Sequence, residues 1–225
     1  MIDRNSVGLM AVLASDAVDD TAPGGESGVT FTLRVRRGVG HDGKTVLAPM
    51  FVRCRWASKY AAALRPRLLA GTWLDLQGKL LVYQTKAMRE RKQRPSTLVE
   101  VDDLILVPEP PLNAEDPMAV DRNIVMLSGR FGADAEFNML ESRTPSARFT
   151  LAVRRFFGKK AEGTLREEPM WVRCQWTDHL AMTHQEALTK GRWFNTQGRL
   201  HIFQTAEMRE TNEPPAMVVA VDRIF

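Results

Sequence analysis

Cysteine is scarce in this chain. The 225 residues include only Cys54 and Cys174, and these occupy the same place in two copies of one motif, described below. Equivalent places in two separate domains lie far apart, so we expect no disulfide and interpret both as small buried hydrophobic side chains. Neither has a second cysteine or a histidine at ligand spacing, so the sequence predicts no zinc site and no other cofactor.

Catalytic signatures are also missing. No P-loop, nucleophile elbow or HExxH motif occurs in the sequence. The four histidines, which lack the spacing of metal ligands, are His41, His179, His184 and His201. The sequence therefore predicts a protein that is not an enzyme.

No apolar run is long enough to span a membrane. The apolar stretch from Val7 to Ala14 is short and Asp16 follows it, without the basic start and cleavage pattern of a signal peptide. We therefore expect a cytoplasmic protein. The net charge is +4, a modest positive bias that is compatible with a polyanionic partner.

The chain repeats itself over nearly its whole length. Asp3-Arg4-Asn5 recurs 118 residues later as Asp121-Arg122-Asn123, and Val52-Arg53-Cys54 recurs 120 residues later as Val172-Arg173-Cys174. The two extra residues fall in a Gly-rich loop, where insertions cost little. A period this long is that of a complete small domain. We predict a first domain at 1–107, a Pro-rich linker at 108–120 and a second domain at 121–225.

Strand patterns dominate each copy. Phe31, Leu33 and Val35 alternate with polar residues, and a glycine, Gly78 or Gly198, interrupts a later strand pattern as a bulge or bend would. One helix is predicted between the third and fourth strands, at Tyr60 to Ala70 and Leu180 to Lys190. Three strands, a helix and two strands predict an all-β protein with one short helix per repeat, built as two tandem OB-fold five-stranded Greek-key barrels.

Motifs of the second copy follow one another in a specific order. They begin with Asn123 to Arg130, Asp134-Ala135-Glu136 and Phe149 to Val153, continue with Trp171 to Cys174, Leu180-Ala181, Lys190-Gly191 and Gly198-Arg199-Leu200, and close with Val218-Val219-Ala220. In this order and spacing they resemble the bacterial-type single-stranded DNA-binding proteins. The resemblance covers nearly all of 123–225 and, more weakly, 5–105.

The resemblance implies non-catalytic, largely sequence-independent binding of single-stranded DNA in replication, recombination, repair or mobile-element maintenance. Members of the family work with four OB folds, so a chain with two implies a homodimer. The family usually also carries a Gly-rich tail with an acidic tip that recruits other enzymes. This sequence stops at Asp222-Arg223-Ile224-Phe225, so we do not expect that recruitment.

The family's stacking aromatic positions are only partly filled here. Rings occupy them at Phe51, Trp171 and Phe157. The remaining positions fall on Val39, Ala57, Thr85, Thr177 and Thr205.

Sequence-tolerant binding of a single strand needs cations that follow the phosphates and flat rings that stack on bases. The outward face of the third strand and the end of the second strand offer both in each copy. The residues predicted to bind nucleic acid there are Phe51, Arg53, Arg55, Arg36 and Arg37 in the first copy, and Trp171, Arg173, Arg154, Arg155, Phe156, Phe157, Lys159 and Lys160 in the second.

The loop between the last two strands differs in charge between the copies. In an OB fold this is the ligand-binding L45 loop, so we interpret its basic run in the first copy as a phosphate clamp rather than a solvated face. That run is Lys86, Arg89, Arg91, Lys92 and Arg94, whereas the second copy has Glu207, Arg209, Glu210 and Glu213.

Several other aromatic residues leave alternatives open. Trp73 and Trp193 lie on the face opposite to their apolar neighbours, and they either stack on bases or lie in a subunit interface. The same two alternatives hold for Tyr83 and Phe203. By the same alternation, the side chains predicted to be in the core are Trp56 and Trp176.

Two other functions compete with single-stranded DNA binding. OB barrels can serve as protein-docking modules in an assembly factor, and the missing aromatics favour that. A single-stranded RNA binder would use the same rings and cations, since nothing in the residues reads a 2′-hydroxyl.

Overall fold

The protein, a computed structural model, is described over residues 4–21, 27–41, 44–109, 111, 120–140, 142–159, 165–211, 213 and 215–225. By their contacts the residues form two compact units. The N-terminal unit comprises Val7–Leu81 and Thr97–Asn123, and the C-terminal unit comprises Met1–Ser6, Val82–Ser96 and Ile124–Phe225. Residues 82–96 thus belong to the first repeat by sequence and to the C-terminal unit by contacts. The predicted linker at 108–120 lies mostly outside the described residues.

Each repeat folds as six strands. The first contains β1 (Asn5–Leu13), β2 (Val18–Thr21), β3 (Ser27–His41), β4 (Lys44–Ala57), β5 (Trp73–Tyr83) and β6 (Ser96–Val107). The second contains β7 (Arg122–Phe131), β8 (Glu136–Met139), β9 (Pro145–Lys159), β10 (Leu165–Thr177), β11 (Trp193–Phe203) and β12 (Ala216–Ile224). The short strands β2 and β8 were not expected from the sequence.

Five strands of each repeat close into a barrel. The order β3-β4-β6-β5-β1 returns to β3 through a β1–β3 pairing, and β9-β10-β12-β11-β7 returns to β9 in the same way. The pairings β4–β6 and β10–β12 are parallel, as the Greek-key connection of an OB fold requires. The prediction of two tandem OB barrels is confirmed.

Alternating apolar residues fill each barrel. Leu33 and Val52 are almost fully buried in the first, and Leu151 and Val172 take the equivalent places in the second. Each such side chain contributes about 1.5–3 kcal/mol relative to leaving it exposed. Period-two alternation therefore decides which strand face is left to meet a ligand.

The side chains predicted to be structural are buried. Trp56 and Trp176 are core residues, and Cys54 and Cys174 are buried free cysteines, so both predictions are confirmed. Burial raises the pKa of both thiols far above its usual range, because a thiolate would lose its hydration. Neither cysteine is therefore a reactive nucleophile.

The predicted helix is shorter than its sequence pattern suggested. In the first repeat α1 spans Ala61–Leu64 and then tightens into a 3-10 turn at Arg65–Arg67, because Pro66 lacks the N–H that an α-helix needs. The second repeat has no proline there, yet α3 (His179–Thr183) also gives way to a 3-10 turn, and the buried Leu188 leaves helical geometry with ψ 54°. The short helix predicted at this place in each repeat is confirmed, but it ends well before Ala70 and Lys190.

A second short helix stands in the last hairpin of each repeat. These helices are α2 (Lys86–Glu90) and α4 (Ala206–Glu210), and neither was predicted. The hydroxyl of Thr85 accepts a hydrogen bond from the Met88 N–H, and Thr205 does the same for Met208, each at 3.1 Å. These threonines fall where the resemblance places stacking rings. At these positions a threonine caps a helix, where the resemblance would place an aromatic side chain.

The predicted glycine bend lies where one strand passes between two partners. In β11, residues up to Gly198 pair with β7, residues from Thr196 onward pair with β12, and the register shifts between Gln197 and Gly198. A Cβ on Gly198 would overlap the carbonyl oxygen of Ala220. Only glycine lets the two backbones approach this closely.

We predict that Gly198→Ala lowers the free energy of unfolding by about 3 kcal/mol, because the added methyl group has to push two paired strands apart. Gly191→Ala is the matched control. Its positive φ of 80° is strained for alanine, but a Cβ there meets open space, so we expect a loss of about 1 kcal/mol. Urea unfolding of the two variants measures both values. A Gly198→Ala protein as stable as Gly191→Ala would show that the close approach is not a constraint.

Candidate nucleic-acid interface

The outward face of β4 presents a ring beside cations, as the sequence predicted. Phe51 is 54% exposed and Arg53 is exposed, because Val52 between them points into the barrel. The β3–β4 register sets Arg34 directly opposite Phe51, and Arg34 is exposed as well. Arg34 was not among the residues predicted to bind nucleic acid, although its parity along β3 places it on this face.

The equivalent face of β10 carries the larger ring. Trp171 is 53% exposed, and Arg173 beside it is exposed. A Cβ on Gly132 would overlap the Trp171 ring, so the ring rests against a residue without a side chain. A large ring held against backbone, with half of its surface open, has the geometry that stacking on a base requires.

Two of the predicted phosphate-binding arginines are held in ion pairs within the N-terminal unit. Arg55 lies 2.8 Å from Asp20. The Arg36 guanidinium donates to Asp121 Oδ1 at 2.8 and 2.9 Å, the Arg36 N–H donates to Oδ2 at 2.7 Å, and the Asp121 side chain is only 2% exposed. A buried carboxylate with three donors is a structural pair. We assign Arg36 to the architecture of the unit.

The two ambiguous tryptophans each lie under an arginine of their own unit. The Arg36 guanidinium carbon is 5.6 Å from the centroid of the Trp73 ring, and that of Arg130 is 5.8 Å from the Trp193 ring. Both tryptophans are partly buried. One face of each ring is therefore covered by a cation, which leaves less of it for a base.

The arginines that end the second strand differ in exposure. Arg154 is exposed, whereas Arg37 and Arg155 are partly buried. Burial lowers the pKa of Arg37 from its usual value, yet a guanidinium remains charged at neutral pH. The side chains of Phe156, Phe157 and Lys159, and residue Lys160, lie outside the described residues.

The basic loop of the first repeat, residues 82–96, forms an arm that belongs to the C-terminal unit. The Val82 N–H lies 3.0 Å from the sulfur of Met170, and Arg94 Nε lies 2.9 Å from Glu213 Oε2. Helix α2 and the turn after it leave all five predicted cations exposed: Lys86, Arg89, Arg91, Lys92 and Arg94.

A groove of about 570 Å³ lies in the C-terminal unit beside this arm. Its lining includes Arg94 from the arm, Arg148 from β9, Arg173 from β10 and Phe203 from β11. Arg148 was not among the predicted site residues. Its position opposite Gln175 in the β9–β10 register brings it to this face, and sequence spacing alone does not give that register.

The second barrel is similar to a known protein family. The model of the single-strand binding protein family matches residues 122–224. The chain is similar to that family over these residues, which we term the family domain. The resemblance predicted from the second repeat is confirmed, and the family domain coincides with the barrel that carries Trp171 and the groove.

Solved structures of similar fold cover both repeats. Wild-type single-stranded DNA-binding protein from Thermus aquaticus matches with a TM-score of 0.74 and 18% identity, over 100% of this chain and 93% of that one. A deletion mutant of the same protein matches with a TM-score of 0.74 and 19% identity, over 99% and 94%. The search of curated proteins finds no match.

Metal clusters and membrane-spanning helices are both absent from the described part of the chain. No group of three or more histidine, cysteine or acidic residues there could hold a metal ion. Among the same residues, no helix has the length and apolar character to cross a membrane.

We predict that Arg36→Met lowers the free energy of unfolding by about 3 kcal/mol, because it leaves the buried Asp121 carboxylate without its guanidinium partner. Arg53→Met is the matched control, since Arg53 is exposed on the neighbouring strand, and we expect a change within about 0.5 kcal/mol. Urea unfolding measures both. Equal stabilities of the two variants would contradict the structural role of Arg36.

Proposed function

We propose that the chain binds single-stranded DNA without catalysis and largely without regard to sequence. The observation that carries this proposal is the half-open Trp171 ring beside Arg173 on the outward face of a barrel similar to the single-strand binding protein family. Stacking on a ring is indifferent to sequence because every base has a π face, and each stacked base contributes about 1–3 kcal/mol. Replication, recombination, repair and mobile-element maintenance are the processes that expose such strands.

The cations available to phosphates are fewer than the sequence suggested. With Arg36 and Arg55 held in ion pairs, the proposed contacts are Arg53 on β4, Arg173 on β10 and the basic arm at 86–94. Phosphate binding of this kind releases counterions and weakens as salt rises, whereas stacking is much less sensitive to salt. A cytoplasmic location, expected from the sequence, is part of the same proposal.

We predict that two variants separate these contributions. Replacing Arg89, Arg91, Lys92 and Arg94 by alanine reduces the slope of log affinity against log salt by up to about 3, because each phosphate contact to a single strand contributes about 0.7. Trp171→Ala weakens binding by about 1–3 kcal/mol at every salt concentration and leaves the slope nearly unchanged. Titrations with labelled oligo-dT at several salt concentrations measure both.

The control for Trp171→Ala is Tyr60→Ala, which removes an aromatic residue of similar exposure outside the proposed face and leaves affinity unchanged. Oligo-rU and duplex DNA in the same titrations distinguish a single-stranded RNA binder and a duplex binder. If the parent protein binds none of the three, the protein-docking function replaces this one.

We also propose that the protein is a homodimer. The support is the count of four barrels implied by the family resemblance, together with exposed apolar side chains on the strands, Ile105 in the N-terminal unit and Ile124 in the C-terminal unit. We predict that sedimentation equilibrium at micromolar concentration gives twice the mass of the chain. A single-chain mass across that range would refute the dimer and leave the proposed binding face intact.

A further inference from the structure

The groove of the C-terminal unit contains Phe203, for which the sequence left two alternatives open, stacking on a base or packing in a subunit interface. Phe203 is the last residue of β11, and it is 37% exposed at the groove wall. Its partner across the β11–β12 pair is Ala216, which is too small to cover it. His201, two residues earlier, meets the ring edge-on with the centroids 5.5 Å apart. The ring is thus supported at one edge and open toward the groove.

Phe203 stands close in sequence to a position where a stacking ring is missing. Thr205 falls where the family resemblance places an aromatic residue, but its hydroxyl caps α4 by accepting from the Met208 N–H. The cap fixes the hairpin that follows β11. The nearest ring on this strand is therefore Phe203, two residues before the cap and on the groove side.

The charges around the groove favour an anionic strand. Arg94, Arg148 and Arg173 are its cations, and all three are exposed. Two carboxylates also line it. Asp134 accepts a hydrogen bond from the Lys190 N–H at 2.8 Å, and Glu136 stands opposite Arg148 in the β8–β9 register.

Arg94 is oriented by Glu213 rather than neutralised by it. The two side chains are 43% and 40% exposed, and an ion pair as open as this contributes little and yields readily to a competing phosphate. It holds the guanidinium at the groove in the absence of ligand.

We infer that Phe203 stacks on a base of the bound strand while Arg94 and Arg173 contact its phosphates. The first repeat thereby supplies a cation to the binding face of the family domain. This inference rests on the proposed function and adds to it a ring that stands in place of the one missing at Thr205.

The test is a series at position 203 titrated with labelled oligo-dT. Phe203→Ala weakens binding roughly tenfold with an unchanged salt slope, because a stacked base is lost and no charge is. Phe203→Trp binds like the parent, and Phe203→Leu binds like the alanine variant. Leucine keeps the apolar volume without the ring, so a Phe203→Leu protein with parental affinity would overturn the stacking role. Circular dichroism compares the fold of the three variants.

Two controls are matched in exposure and chemistry. Phe225→Ala removes an aromatic side chain that is 66% exposed in the same unit, and it leaves affinity unchanged. Arg94→Ala lowers the salt slope by about 0.7. Arg199→Ala does not, although Arg199 is likewise half-exposed and paired with a carboxylate, Asp222, at 2.7 Å.

The titrations distinguish failure of the Phe203 role from failure of single-stranded DNA binding itself. Parental protein that binds oligo-dT while Phe203→Ala binds equally well overturns this inference and leaves the proposed function standing. Equal losses in Phe203→Ala and Phe225→Ala overturn it as well. Parental protein that does not bind oligo-dT overturns the proposed function and this inference together. Ultraviolet cross-linking to oligo-dT gives a second readout, and the expected adduct lies on the peptide that contains Phe203.

Discussion

Each barrel depends on one strand that pairs with two different strands along its length. In β5 and β11 the first half pairs with the opening strand of the repeat, and the second half continues into the last hairpin. The change takes place at Gly78 and Gly198, where a side chain would overlap the carbonyl oxygen of the facing strand. A five-stranded sheet closes on itself only if one strand bends in this way. The direction of the hairpins, and with it the position of the basic arm and of Phe203, follows from that bend.

The location of each charge matters more than the total. The net charge of +4 is compatible with a polyanionic partner, and adjacent arginines suggested where such a partner would bind. In the folded chain some of those arginines form ion pairs and others remain exposed. Arg36 meets a buried aspartate and Arg55 meets Asp20, while Arg53 and Arg173 stay open. Attraction to phosphates depends on the cations that stay exposed to solvent, because a guanidinium held by a buried or partly buried carboxylate is already neutralised.

The sequence predicted the strands and the core well because both follow from local alternation. Trp56 and Trp176 were assigned to the core by parity alone. Three features depended on information that is not local. Helix length depended on where Leu188 is buried. The pairs Arg36–Asp121 and Arg94–Glu213 join residues 85 and 119 positions apart, and Arg148 came into the site through strand register. Spacing within a motif does not encode contacts of this kind.

Duplication lets the two repeats diverge without losing the barrel. In the second repeat Trp171 rests against Gly132 and faces Ala152 in the β9–β10 register, whereas in the first Phe51 faces Arg34. A large ring on a small neighbour suits stacking, and a smaller ring beside a guanidinium suits contact with both base and phosphate. The last hairpins of the two repeats differ in charge as well. The arm at 82–96 is basic, whereas the equivalent loop of the second repeat carries Glu207, Glu210 and Glu213. The basic arm is part of the C-terminal unit. The C-terminal unit therefore combines the larger ring of the second repeat with the basic arm of the first, and this combination is what the proposed binding face uses.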